Sequence, residues 1–362
     1  MLTEREREIL ALIEANPMMS QEDLANRIGI TRSSMAVHIS NLIKKGAIFG
    51  KGYVVKKRPY VAVVGGAYMD IIGRPENPAV YKDSPGAVNV SFGGSGRNIA
   101  HNLRLLSLDA KMITVFGEDL YSDKLRINYR SLGIDTTFSP VLPNGTTPTY
   151  LTIVGTDGQI LYSIWDSSKL YESLIPSILS TRMDVIHHSD VCSVETNMSS
   201  ETLKYLAENC RVPLFVKTIS KSKAHRVCDI LGKIHTLKTD KEGLEVIVQH
   251  PISSREELTS AAQEVLQQGT QRIFITSETG EVLCANQAEI VCLSDAPTKT
   301  VNEIGGRDSF MAALIWAYLQ GMSLTESAKA GIAATHINRI ADTSVNEDMN
   351  EFLLRQEMQR IK

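Results

Sequence analysis

The sequence predicts an α/β protein: βαβ units forming a mainly parallel sheet with a small β lid, preceded by a short all-α unit. Three observations lead there. From Tyr60 onward, short apolar runs ("YVAVVGG", "AKMITVFG", "MDVIHHSD", "VPLFVKT", "RIFITS") alternate with amphipathic helical stretches, the pattern of strands buried on both faces. Two segments, "AVNVSFGG" and "TPTYLTIVGTDGQILYSIWD", break that rhythm by alternating like half-exposed strands, the second turning at Thr156-Asp157-Gly158. Residues 1–58 carry ten Lys+Arg against six Asp+Glu, while the remainder carries 28 against 35. That asymmetry points to an anionic polymer as partner of the front of the chain.

At that front, "TEREREILALIEANP" sets Ile9, Leu10 and Ile13 on one helical stripe, with Thr3 as N-cap, Glu6 as its capping-box partner and Pro17 as the stop. A second helix opens at Ser20, with Asp23 three residues on, and ends at Gly29. A third starts at Thr31, turns Met35, Ile39, Leu42 and Ile43 inward, and stops at Gly46. Helix, Gly-containing turn, helix is helix-turn-helix order, and "IFGKGYVV" after it has the form of a wing. Arg32 to Arg58 contains no acidic residue. Residues 1–57 therefore resemble a winged helix-turn-helix DNA-binding domain. The resemblance implies that Arg32, Ser33, Ser34 and His38 face bases while Lys44, Lys45 and Lys51 touch phosphates. The alternative is a helical interaction domain with a solvated basic face.

The 362 residues, 43% hydrophobic and 22% charged, suffice for one large core plus a small satellite. No apolar run approaches the roughly 20 residues of a membrane span, and "MLTEREREIL" lacks the order of a signal peptide. A cytoplasmic location and no membrane partner are the expectation. The five cysteines (Cys192, Cys210, Cys228, Cys284, Cys292) are odd in number and contain no C-x-x-C, which indicates neither a disulfide framework nor a zinc site. No metal-ligating set is expected.

In the larger part, "VVGGAYMDIIG", "FGGSGRNIAHNLRLLS", the TYL hairpin and "GGRDSFMAALIWAYLQG" follow one another in the order and spacing of the ribokinase-like (PfkB) carbohydrate kinases. This resemblance covers about residues 60 to 345. The "GGxxRNIAxNL" form of the glycine motif and "HTLK" at 235–238 are similar to the pseudouridine-kinase and nucleoside-kinase members, some of which carry an N-terminal helix-turn-helix domain. What this implies is a kinase domain over residues 60–362, with lid strands at about 67–92 and 146–166. Asp70 would accept hydrogen bonds from sugar hydroxyls. Gly93 and Gly94 would admit backbone close to the sugar, and Asn98 would add a donor and an acceptor. Asp308, opening a helix, would take the proton of the attacking hydroxyl. Gly305 and Gly306 would help cradle the phosphate at the helix N-terminus, and Phe310, Leu314, Ile315 and Tyr318 would bury that helix as a stripe.

Four departures from the family pattern surround the nucleotide. The loop is close to D-T-T-G-A-G-D in the family, whereas Asn302-Glu303-Ile304-Gly305-Gly306-Arg307-Asp308 stands here. Arg307 either blocks a phosphate, clamps it through its guanidinium, or pairs with Asp308 and lowers its basicity. In "LKTDKEGLEVI", Gly243 occupies the place of a glutamate that helps organise Mg²⁺, with Asp240 and Glu242 as the nearest substitutes. In "FITSETGEVL", Ser277 and Glu278 replace the start of a Leu-Gly turn beside the nucleotide, and Lys217-Thr218 stands where Asp-Pro is common. The expectation is ATP- and Mg²⁺-dependent phosphorylation of a ribose-type sugar or nucleoside, with a monovalent cation as a further candidate cofactor, coupled to DNA binding by a homodimer. The alternative is a pseudokinase acting as a sugar- or nucleoside-sensing regulator.

Overall fold

The computed structural model describes residues 2–48, 59–77, 84–156, 159–166, 170–277, 280–294, 301 and 304–361. The chain divides into two compact units, Met1–Arg58 and Pro59–Lys362.

The smaller unit contains helices Glu4–Ala15, Gln21–Ile28 and Arg32–Lys44. Each is opened by the side chain of the residue before it: Thr3 accepts from Glu6 N–H, Ser20 from Asp23 N–H and Thr31 from Ser34 N–H. These caps satisfy backbone donors that a helix start otherwise leaves open. Gly29 closes the second helix in the left-handed region at φ 74°. Ile9, Ile13, Leu24, Met35, Ile39, Leu42 and Ile48 form the core. Ile43, expected to face inward, is 48% exposed, because it lies one residue, about 100°, round the helix from buried Leu42. The wing beyond Ile48, with Lys51, lies outside the described residues, as do Asp157 and Gly158 of the hairpin turn.

The larger unit holds twelve described strands: β1 (Tyr60–Val64), β2 (Tyr68–Pro75), β3 (Gly86–Gly93), β4 (Asp109–Ile113), β5 (Thr149–Val154), β6 (Ile160–Trp165), β7 (Val191–Glu195), β8 (Leu214–Lys217), β9 (Thr236–Asp240), β10 (Arg272–Thr276), β11 (Glu281–Asn286) and β12 (Ile290–Ser294). The main sheet has the order β12-β11-β10-β9-β8-β7-β1-β4. Its pairs are parallel from β4 to β10, and β11 and β12 add antiparallel to that edge. Period-two alternation divides β1 between two cores, Val61 and Val63 in one, Tyr60, Ala62 and Val64 in the other. This is why the run is apolar throughout.

Strands β3-β2-β5-β6 form the separate lid sheet. It is mixed: β2 runs parallel to β5, while β3–β2 and β5–β6 are antiparallel. The helix Gly306–Leu319 is buried along nearly its whole length rather than along one stripe, with Arg307 the exception in its first turn. It packs against helix Ser95–Leu105, helix Leu324–Arg339 and the sheet, where the Phe310 and Phe274 rings meet edge-on at 6.4 Å. Close approach at the start of helix Ser95–Leu105 depends on Gly94: its φ is 97°, and a Cβ there would lie 2.6 Å from Ala67 Cα and 2.7 Å from Gly66 O. Both obstacles are backbone, so Gly94→Ala is expected to destabilise the larger unit by at least about 2 kcal/mol in a urea titration. An unchanged midpoint would contradict this placement.

Candidate active site

The carboxyl ends of β7, β8 and β9 are Glu195, Lys217 and Asp240, and ligands of open α/β sheets bind beyond such ends. There, in the first turn of helix Gly306–Leu319, stands Asp308, 7% exposed. Its Oδ1 accepts from Ser95 Oγ at 2.6 Å and pairs with Lys217 Nζ at 2.8 Å, while Oδ2 accepts from Asn98 Nδ2 at 3.0 Å. Lys217 Nζ also donates to Ser95 Oγ at 3.0 Å. A buried carboxylate is tolerable only with such partners. Asn98, expected to bind substrate, donates to Asp308, and its Oδ1 accepts from Arg97 and Ser344 Oγ. The Arg307–Asp308 ion pair considered from the sequence does not form; Arg307 pairs with Asp240.

Asp70 lies within lid strand β2 and is buried. It sits directly over Gly93, where any Cβ would collide with its carboxylate. Burial, opposed by the Arg97 charge and reinforced by that of Asp308, pushes the Asp70 carboxyl up to about 7. Close by, buried Glu195 accepts from Gly66 N–H at 2.7 Å and from Asn197, and burial raises its carboxyl above the ordinary range. Asn197 Oδ1 accepts from Lys223 Nζ at 2.7 Å, and that ammonium lies 5.2 Å from the ring centre of Trp165 in β6. A lid strand and the main layer thus share this side of the site.

On the phosphate side, Gly305 precedes the helix at φ 83°, pressed so closely against Ser344 O that no side chain fits. Arg307, 54% exposed, pairs with Asp240 Oδ2, and Asp240 Oδ1 caps helix Lys241–Val248 by accepting from Gly243 N–H at 2.8 Å. Both Asp240 oxygens are therefore engaged. A Cβ on Gly243 would lie 2.5 Å from Thr239 Oγ1 and 2.9 Å from Asp240 Oδ1, which excludes a glutamate without rearrangement. Lys238 is fully buried, donating to Thr239 O at 3.0 Å and Thr276 Oγ1 at 2.7 Å. Burial, then the Arg307 charge, holds its ammonium well below the usual lysine range. Glu242 is half-buried in the first turn of the Lys241 helix, and Ser277 closes the β10–β11 turn by bonding Glu281. Glu278, Asn302 and Glu303 lie outside the described residues.

In the smaller unit Arg32, Ser33, Ser34 and Lys44 are exposed on helix Arg32–Lys44, and His38 is half-buried. Lys45 Nζ lies 2.7 and 2.8 Å from the two Glu6 carboxylate oxygens, and the pair holds Glu6 down at about 2.

Sequence reasoning missed Ser95, Arg97 and Glu195. Lys217 carried a signal, a lysine where the resemblance expects an acid, but its partner is 91 positions away and only folding identifies it. Among the described residues no three His, Cys, Asp or Glu side chains group as a metal site, and no helix is long and apolar enough to cross a membrane.

Residues 58–346 match the profile described as pfkB family carbohydrate kinase, and residues 2–48 match that of winged helix-turn-helix DNA-binding. The chain is 35% identical over 354 residues to the uncharacterized sugar kinase YeiI of Escherichia coli (strain K12), covering 96% of this chain and 97% of that one. It is 28% identical over 300 residues to pseudouridine kinase of the same organism, covering 82% and 95%. The structure of Arabidopsis thaliana ribokinase complexed with ribose and ATP superposes with a TM-score of 0.70 at 17% identity, over 83% of this chain and 99% of that one.

The Asp70 carboxyl predicts a pH signature. Its folded value of about 7 lies above its ordinary 3.8, so its contribution to stability is fully present below the ordinary value and is lost as pH rises through about 7. Asp70→Asn removes that dependence. The variant is expected to gain melting temperature relative to the parent on going from pH 5 to pH 8.5, and an equal difference at both values would contradict the assignment.

Proposed function

The chain belongs to the pfkB family of carbohydrate kinases, and on that footing we propose that it transfers a phosphoryl group from ATP to a hydroxyl of a ribose-type sugar or nucleoside, with DNA as the partner of its N-terminal unit. The carrying observation is Asp308, buried at a helix start among Ser95, Asn98 and Lys217, with Asp70 near enough to feel its charge. A sugar seated on Asp70 and Gly93 points a hydroxyl at that carboxylate. Similarity to a pseudouridine kinase supports a nucleoside as substrate.

In this reading Asp308 accepts the hydroxyl proton as the oxygen attacks phosphorus, and Asn98 keeps the carboxylate oriented. The start of helix Gly306–Leu319 and the Arg307 guanidinium fit a polyphosphate. Magnesium would be held chiefly by the phosphates, since both Asp240 oxygens are engaged. Bound MgATP supplies the phosphoryl group and neutralises part of its charge. The lid leaves Val88, Val90, Ile164 and Trp165 exposed, which supports a second copy of the chain as partner.

A second reading, a sugar- or nucleoside-sensing regulator that transfers phosphate poorly, is favoured by the Lys217–Asp308 pair and by the crowding at Gly243. Incubation with MgATP and a panel including ribose, pseudouridine and inosine decides between them: a phosphorylated product is expected, and no turnover across the panel would leave the sensor. Asp308→Asn is expected to lower kcat by roughly 10²–10⁴ with KM for the acceptor little changed. A matching loss of acceptor affinity would make Asp308 structural. For the smaller unit, affinity for DNA of its own promoter region is expected to fall steeply with salt and to drop in Arg32→Ala. Salt-insensitive binding would favour the interaction-domain alternative.

A further inference from the structure

At the other end of the main sheet, His235 just before β9, Arg272 at the start of β10 and Asn286 at the end of β11 line a cleft of about 430 Å³. Thr236 opens β9 and Asp240 closes it, about 13 Å away at the rise of a strand. The cleft therefore stands apart from the site around Asp308. Strand register sets Arg272 opposite Thr236 on one side and Asn286 on the other, and residues so paired project to one face of the sheet.

Arg272 is the one charged residue lining this cleft. Its guanidinium carbon lies 5.1 Å from the ring centre of Tyr318 and 5.8 Å from that of Phe215, and Nε and Nη2 donate to Thr236 Oγ1 at 3.2 and 3.1 Å. Rings lie against the group and Thr236 takes one edge, which leaves Nη1 without a partner among the described residues. Burial holds the guanidinium below its ordinary range, and no carboxylate among the described residues pairs with it. A desolvated charge with an unused donor edge gains from an incoming acceptor.

The neighbouring groups are donors as well. Thr236 Oγ1 accepts twice from Arg272, so its own proton goes to His235 Nδ1, 2.9 Å away. The ring proton of a neutral His235 then sits on Nε2. Burial, then the Arg272 charge, holds that imidazole down at about 4, and stacking on Phe215 with ring centres 5.2 Å apart fixes its plane. Asn286 Oδ1 accepts from the Ala288 and Glu289 N–H groups at 2.8 and 2.9 Å, which leaves Nδ2 to donate. One positive charge, two neutral donors and no acidic lining residue suit a monoanion better than a dianion, and a guanidinium edge matches a planar carboxylate.

We propose that this cleft is a second ligand site, taking a small organic acid whose carboxylate binds the Nη1 side of Arg272 with His235 and Asn286 as further donors. Nothing in it depends on phosphoryl transfer at Asp308.

Ligand-observed proton NMR titration of the full chain at pH 8 and low ionic strength tests it. The probes are L-lactate and N-acetyl-L-alanine as acids, N-acetyl-L-alaninamide as the uncharged counterpart and inorganic phosphate as a dianion. Both acids are expected to bind, N-acetyl-L-alanine on the order of tenfold or more tighter than its amide and tighter than phosphate, with saturating MgATP leaving its affinity unchanged. Arg272→Gln should remove the preference for acid over amide. Asn286→Asp carries the test if that variant fails to fold: aspartate keeps the acceptor used by the Ala288 and Glu289 N–H groups and puts negative charge where Nδ2 stood, so acid binding should be lost. No binding of the acids, equal binding of acid and amide, tighter binding of phosphate, displacement by MgATP, or a preference that survives in either folded variant would each overturn the inference.

Discussion

A carboxylate cannot be buried without donors, and the larger unit supplies them to Asp308 from separate parts of the chain. Ser95 and Asn98 come from the first turn of one helix, Lys217 from the end of β8, and the carboxylate itself from the start of another helix. Each must be placed within a fraction of an ångström. Gly94 lets the first helix begin against the Gly66–Ala67 backbone, and Gly305 lets the second begin against Ser344. The Gly306–Leu319 helix is locked by packing nearly all round, so its first turn has little freedom to move. Removing one member of a buried pair leaves the other uncompensated, at a cost of about 3–5 kcal/mol, which couples the chemistry of this site to the stability of the unit.

Around that pair the two sides of the site differ in charge. The Asp70 side is acidic, with Asp70 and Glu195 both raised by burial. The side of Asp240 is governed by Lys217, Lys238 and Arg307, whose charges Asp240 and Asp308 only partly offset. The Arg307–Asp240 pair joins the first turn of one helix to the cap of another, and Asp240 also closes the first turn of helix Lys241–Val248. An aspartate capping a helix and an arginine resting on it form one unit, so a change at position 307 also alters the helix that Asp240 caps.

Much of the architecture was legible in order: four of the apolar runs became β1, β4, β8 and β10, and the two alternating segments became lid strands β3, β5 and β6, whereas "MDVIHHSD", expected as a strand, forms helix Met183–His187 and the strand follows it at Val191–Glu195. Local chemistry accounts for this, because strands buried on both faces read as continuous apolar runs and caps depend on residues three apart. Pairing direction was not legible. That β2 runs parallel to β5 follows from how the lid is joined to the sheet, which no period in the sequence records. Ile43 was misjudged because a helical stripe has a width, and its edge is set by what packs there. The pairing of Lys45 with Glu6, 39 positions earlier, was not legible either.

Residue type, spacing and capping within the sequence determined the two-part organisation, the helix starts, the strands and a short set of polar residues able to do chemistry. Partnership was decided only by tertiary structure. Asn98 faces Asp308 across 210 positions, Lys217 reaches it across 91, and Arg307 turns away from its neighbour to Asp240, 67 positions back. The physical reason is that local preferences act over three or four residues, whereas burying a charge requires partners from wherever the fold brings them.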